Sequence, residues 1–400
     1  MQWRRVMLEG KTTSRTRGGA IGPGKRWGHT CNAVEDGRLI YVFGGYGKYD
    51  CQTKDVHVFD AVKETWSKPV LKGTPPSPRN SHTSTTVGDR IFVFGGTDGH
   101  KPLDDFYVLD TVSNTWSKPA VRGDGPIARE GHGAALIGRD LLIFGGCGRS
   151  SSDSENYLND LHILNTETFQ WRKLATTGPS PIPRKNHASS SYKNKFIVVG
   201  GTDASNSRLG DVHMLDVDAL AWTDLKTTGT KLEPRAAHMT VTIGRHLFVF
   251  GGFADKLKFF DDLHVLDLES GVWTKEETTG SGPSARRSLA GDCVNLEKGI
   301  ILLHGGCNEG LEALDDMYYL NTDLRLERNP ADQTPEKFSF KKELKRRRQE
   351  HLALTMLGKE KAMDSQKAII PALLPGVFTF LFGLWRYLFA HCYYTAQQII

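Results

Sequence analysis

LIYVFGGYGKYDCQTKDVHVFDAVKETWSKPVLKG, residues 39–73, carries three signals in a fixed order. An apolar run ends in Gly44-Gly45. An alternating segment, DVHVFD, begins at Asp55. Trp66 follows, and Gly73 comes seven residues after it. The first run is rich in β-branched and aromatic residues and reads as a buried strand. The second alternates and reads as a half-buried strand.

The same order recurs along the chain. Gly pairs stand at Gly44-Gly45, Gly95-Gly96, Gly145-Gly146, Gly200-Gly201, Gly251-Gly252 and Gly305-Gly306, spaced by 51, 50, 55, 51 and 54 residues. The runs before the later pairs are RIFVFGG, LLIFGG, KFIVVGG, LFVFGG and ILLHGG. The Asp segments repeat as DFYVLD, DLHILN, DVHMLD, DLHVLD and DMYYLN. Trp66, Trp116, Trp171, Trp222 and Trp273 each precede a Gly by seven residues. A large ring at one place per unit suits packing between neighbouring sheets. A further strand follows an Arg-x-x-His step at Arg26/His29, Arg79/His82, Arg129/His132, Arg184/His187 and Arg235/His238; the sixth copy has Arg286 and Leu289.

Four short strands per unit at a period near 50 resemble the kelch-repeat family over residues 1–322. The resemblance implies an all-β, six-bladed kelch β-propeller. The sixth unit lacks its Trp strand after Leu320, whereas Trp3 and Gly10 have the seven-residue offset of the internal pairs. Residues 2–8 are therefore expected to close the last blade, leaving no open seam. Kelch propellers often close by such strand exchange. Residues 11–28, basic and Gly-rich, are expected to form a surface loop.

Strands run a, b, c, d from the axis outward in this reading. The b–c and d–a loops then share one face, and the longest loops lie there. The b–c loops fall near 46–54, 97–104, 147–159, 202–210, 253–261 and 307–315. Aromatic residues beside Arg are common in interaction hot spots. The candidate partner contacts are Tyr46, Tyr49, His100, Arg149, Arg208, Phe253, Phe259 and Phe260. The Arg of every repeat reads differently, as a structural group pairing with an Asp such as Asp55, Asp105 or Asp160 and tying blade to blade.

Catalytic and metal chemistry find little support. His57, His162, His213 and His264 share a strand-c position in different blades and cannot converge on one ion. His29, His82, His132, His187 and His238 lie nearer the axis, but no carboxylate has ligand spacing with them. There is no Gly-x-Ser-x-Gly, Walker or His-Glu-x-x-His pattern. Nor is there the Glu-x-x-x-Asp-x-x-x-His run of the iron-dependent plant kelch proteins. No enzyme activity, metal or cofactor is expected. The six Cys have no zinc spacing, and no apolar core of signal-peptide length opens the chain, so a reducing compartment with Cys as small buried hydrophobes is expected.

The tail has another composition. Residues 336–367 carry ten Lys/Arg against five Asp/Glu, which leaves residues 1–335 near neutral and without the basic stripe of a nucleic-acid-binding domain. With residues 323–335 as linker, 336–367 read as a basic helix with Phe340, Leu344 and Leu352 on one face. Lys345–Arg348 fits a solvated face, a nuclear-import signal or an anionic-membrane contact. Residues 368–400 form an apolar tail whose uncharged 368–385 is near the lower length for a membrane span. The location expected is cytoplasmic, with nuclear or tail-anchored membrane placement as alternatives. The function expected is a protein-binding scaffold or adaptor. The alternatives are a ubiquitin-ligase substrate receptor, for which Leu388-x-x-x-Cys392 is the only trace, and a kelch-type enzyme.

Overall fold

A computed structural model describes residues 1–7, 22–47, 51–254 and 258–324. The chain divides into two compact units, Met1–Glu327 and Arg328–Ile400, and only the first contains described residues. The expectations for Tyr49, for most of the 11–28 loop, for the basic helix and for the apolar tail therefore lie outside the described residues. Among the described residues there is no helix, and so none long and apolar enough to cross a membrane.

The repeats fold as six sheets, each with antiparallel strands ordered a-b-c-d; in three of them a two-residue strand, Lys72–Gly73, Arg122–Gly123 or Thr228–Gly229, adds parallel to strand d. In the first blade the strands are Thr30–Val34, Leu39–Phe43, Val56–Asp60 and Thr65–Ser67. Strands b and c are apolar and almost wholly buried, because each blade is sandwiched between two others. Strand d alternates, and only its Trp points inward.

The a strands are Thr30–Val34, Thr83–Val87, Gly133–Ile137, Ala188–Tyr192, Met239–Ile243 and Ala290–Asn295. Each touches the next, and the last touches the first, so they form the inner wall of a closed ring. Gln2–Arg5 supplies strand d of the sixth blade, antiparallel to Met317–Asn321 with Trp3 opposite Leu320. The segment 2–8 expected to close the last blade pairs there over Gln2–Arg5.

The core lies between blades. Tyr41, Phe43, Val56 and Val58 of the first blade share one apolar cluster with Ile91, Val93, Leu109 and Trp116 of the second. The Trp of one blade leans on the strand-b Phe of the blade before it: Trp116 on Phe43 at 5.2 Å, Trp171 on Phe94 at 5.7 Å, Trp222 on Phe144 at 5.2 Å and Trp3 on Phe250 at 5.2 Å. Edge and tilted contacts of this kind add to plain burial.

The Gly pairs mark where two blades pinch the chain. Gly44 and Gly45 both have positive φ. A Cβ on Gly44 would come within 2.8 Å of the next blade's His82 ring and Arg79 carbonyl, and one on Gly45 within 2.8 Å of its own blade's His29. Only Gly combines that conformation with that clearance.

One loop differs from expectation. The segment 147–159 is mostly ladder: strand b runs Asp140–Arg149 and strand c Glu155–Asn165, joined by a tight turn. Pairing resumes beyond a bulge at Phe144/Gly146, so Cys147–Arg149 meets Glu155–Tyr157. The fourth blade extends likewise, with Lys195–Thr202 against Arg208–Asp216.

Candidate interaction site at the mouth of the ring

Two residues after each clamp Arg the backbone turns left-handed, at Gly28, Ser81, Gly131, Asn186, Ala237 and Ser288. These six residues form a closed ring of hydrogen bonds. Each amide donates to the carbonyl of its counterpart one blade back, at 2.7–3.0 Å, and Gly28 donates to Ser288. The ring fixes six equivalent positions around the axis on the b–c and d–a face.

Beneath it the repeated Arg works as a clamp. Arg129 is fully buried; it donates to the Gly145 carbonyl at 2.9 Å and grips Asp160 with both terminal nitrogens at 2.7 and 3.0 Å. Its own carbonyl accepts from Gly96 of the preceding blade at 2.9 Å. One residue thus ties two blades together. Arg79–Asp105, Arg184–Asp211, Arg235–Asp262 and Arg286–Asp316 repeat the arrangement.

The strand-c His belong to this frame: His162, His213 and His264 sit 2.9–3.1 Å from the clamp carboxylates, and Tyr318 takes that place in the sixth blade. Burial alone would raise the pKa of Asp160, Asp211 and Asp262. Hydrogen bonds from the clamp Arg and the strand-c His outweigh it and hold all three well below the usual carboxylate range. The first blade departs from the pattern. Asp55 pairs with Lys68 at 3.0 Å, and Arg26 donates to the Gly44 and Pro23 carbonyls instead. The expected Arg26–Asp55 pair is thereby corrected.

Chemical variety enters one residue away from each fixed feature. The residue after each clamp Arg exchanges two backbone hydrogen bonds with the residue after each Gly pair. The resulting pairs are Trp27/Tyr46, Asn80/Thr97, Glu130/Cys147, Lys185/Thr202, Ala236/Phe253 and Arg287/Cys307. The Trp27 and Tyr46 rings lie 5.1 Å apart. Lys185 bonds Glu155 at 2.6 Å and stands over the Tyr157 ring. Between the fourth and sixth blades, Arg208 and Arg287 stand 4.5 and 4.6 Å from the Phe253 ring centre, and the Phe253 and Phe259 rings lie 5.9 Å apart, tilted by 33°. Glu130, pushed up by burial against the opposing pull of Lys185, is the acidic side of this mouth.

The structure disperses the predicted contacts. Arg208, Phe253 and Phe259 come together; Tyr46 is half-buried on Trp27; His100 is exposed on a loop and Arg149 at the end of strand b of the third blade. Phe260 is 5% exposed and lies under Arg235 at 3.7 Å, so it serves the clamp and offers a partner little surface. Phe253 is 9% exposed and presents its faces to the two guanidinium groups. Trp27, Glu130, Lys185 and Arg287 escaped the sequence reading. Their signal was available, since they are the variable positions next to an invariant Arg.

Family comparison agrees with the geometry. The KLHDC2/KLHL20/DRC7 Kelch-repeats domain matches residues 1–201 and 131–359. The chain belongs to the kelch-repeat family. Among similar proteins are acyl-CoA-binding domain-containing protein 5 of Arabidopsis thaliana, 31% identical over 69% of this chain and 42% of its own length, and kelch domain-containing protein 3 of Mus musculus, 31% identical over 63% and 56%. Host cell factor 1 of Homo sapiens is 32% identical over 63% of this chain and 10% of its own length. The kelch chain thus spans between a tenth and just over half of these relatives.

Two further placements matter. Cys31, Cys147 and Cys307 are buried, as small hydrophobes should be, but Cys51 is exposed. His29, Cys31 and His304, distant in sequence, converge at the seam between the sixth and first blades, with one potential ligand atom from each within 4.8 Å of the others. The expectation of no metal-ligating set is amended by this cluster, which spacing could not reveal because His304 lies 275 residues from His29.

Proposed function

We propose that the chain is an interaction scaffold that holds a protein segment on its b–c and d–a face, over the sector between the fourth and sixth blades. One observation carries the reading. Inside a frame repeated six times, the positions beside the clamp Arg and the Gly pair differ from blade to blade. Packing explains what repeats; it does not explain what varies at one fixed place. Phe259, tilted against the buried Phe253 and set beside Arg208 and Arg287, supplies aromatic surface and positive charge, the usual composition of an interface centre. Charge complementarity favours a segment bearing acidic side chains.

In the same reading residues 336–400 recruit or anchor the scaffold. Quantitative affinity purification with the intact chain, an Arg208→Ala/Phe259→Ala/Arg287→Ala chain and a chain ending at residue 335 tests both parts. Partners lost only with the triple substitution would belong to the mouth. A set of partners unchanged by it would refute the mouth as the site.

A further inference from the structure

Closing the ring brings together three side chains that no other seam combines. His29 precedes strand a of the first blade, Cys31 lies in that strand, and His304 ends strand b of the sixth. All three are more than nine-tenths buried. His304 Nδ1 and His29 Nε2 are 3.0 Å apart.

The other blades show what packing alone requires here. In place of His304 they have Phe43, Phe94, Phe144, Val199 and Phe250; in place of Cys31 they have Ser84, Ala134, Ser189, Thr240 and Gly291. The Phe ring meets the repeat His edge-on, as Phe43 meets His82 at 5.1 Å and Phe94 meets His132 at 5.3 Å. A hydrocarbon side chain satisfies the seam. A second imidazole and a thiol, both facing the same repeat His, exceed that need. Of the two imidazoles, His304 Nε2 is left buried without a hydrogen-bond partner at this seam alone, whereas His29 Nδ1 shares that state with Nδ1 of His82, His132, His187 and His238.

We infer that His29, Cys31 and His304 form a binding site for a soft monovalent cation, copper(I). Thiolate and imidazole are the ligands such an ion selects, and it accepts three of them. Zinc at a structural site almost always takes four ligands, and the cluster holds three. Charge argues the same way. The Arg26 guanidinium acts on both imidazoles from close by and meets carbonyl oxygens instead of a carboxylate.

Burial first, then neighbouring charge, keeps His29 and His304 neutral, which is their ligating form. Burial and then Asp292 push the Cys31 thiol up. On binding, the sulfur–hydrogen bond breaks, the proton passes to solvent and the sulfur–metal bond forms. One positive charge replaces another, so the site's net charge is unchanged.

The test uses the full chain carrying Cys51→Ser and Cys392→Ser, which removes the exposed thiol among the described residues and the cysteine that lies outside them. Copper(I) is titrated anaerobically against a chromophoric chelator, and X-ray absorption reads the ligands. One equivalent with one sulfur and two imidazole nitrogens is expected. His304→Phe and Cys31→Ser borrow residues found at the same place in other blades, so the fold, followed by near-ultraviolet circular dichroism, is expected to persist. Each should weaken binding at least tenfold. Equal affinity in parent and variants, an absorption spectrum without that ligand set, or tighter retention of zinc than of copper would each overturn the inference. The absorption measurement on the parent decides even if a variant does not fold.

Discussion

The Gly28 amide donates to the Ser288 carbonyl at 2.8 Å, joining the first blade to the sixth across the ring closure. Five equivalent bonds complete the circuit, and every residue in it has a positive φ. At Ala237 that conformation carries a steric cost which Gly avoids. Ala237→Gly is therefore expected to stabilise the propeller by roughly 0.5–1 kcal/mol after the added chain entropy of Gly is subtracted. Urea denaturation followed by Trp fluorescence measures it, and a loss of stability would contradict the strain at this position.

Trp3 is 4% exposed and fills the outer wall of the last blade against Phe250. Trp3→Ala should cost about 3–5 kcal/mol, the usual loss for a buried large aromatic. Gly280 approaches the Trp3 carbonyl so closely that a Cβ there would collide with it. Gly280→Val should loosen the same blade, which hydrogen exchange of residues 2–5 and 317–321 would report.

The clamps contrast with surface ion pairs. Asp160→Ala would leave the fully buried Arg129 charge without its carboxylate, an expected loss of about 3 kcal/mol. Lys68→Ala removes an exposed partner of Asp55 and should cost less than about 1 kcal/mol. Because Asp160, Asp211, Asp262 and Asp316 are all depressed in the fold, their stabilisation is complete above the unfolded carboxylate range near pH 4. It is lost as pH falls through the folded values. Denaturation midpoints should drop steeply below pH 4, and Asp160→Ala should flatten that drop.

Asp292 behaves in the opposite sense. Its carboxylate accepts from the Ala33 amide across the ring closure at 2.8 Å and from Cys293 at 2.7 Å. Burial nevertheless outweighs those bonds and pushes it up to about 6. The fold therefore holds this proton more tightly than the unfolded chain does. Its contribution is full below about pH 4 and is lost as pH rises through 6. Asp292→Asn should raise stability at pH 7.5 by roughly 2 kcal/mol and leave it nearly unchanged at pH 4. Equal effects at both values would refute the assignment.

At the mouth, Arg287→Ala or Phe259→Ala should weaken a partner about tenfold or more, the scale of a hot-spot residue. His100→Ala, on an exposed loop away from the Phe253–Phe259 pair, should change binding less than twofold. Isothermal titration with a segment recovered from the purification makes the comparison, with thermal unfolding as the check that the fold is intact.

Local chemistry repeated six times is readable from a linear string. The Gly pairs, the Trp and the Arg-x-x-His steps therefore specified blade number, strand order and even the closing role of Trp3, because each copy must solve the same packing problem. What breaks the repeat was not readable. That Arg26 forgoes Asp55, that Phe260 lies beneath Arg235, that Arg208 and Arg287 share Phe253, and that His304 meets His29 all depend on which residues folding within a blade, packing of neighbouring blades and ring closure bring together. Those partners stand from about 25 to 275 residues apart, and no spacing rule links them. The tertiary structure alone sets them side by side, and there the chemistry of the individual protein resides.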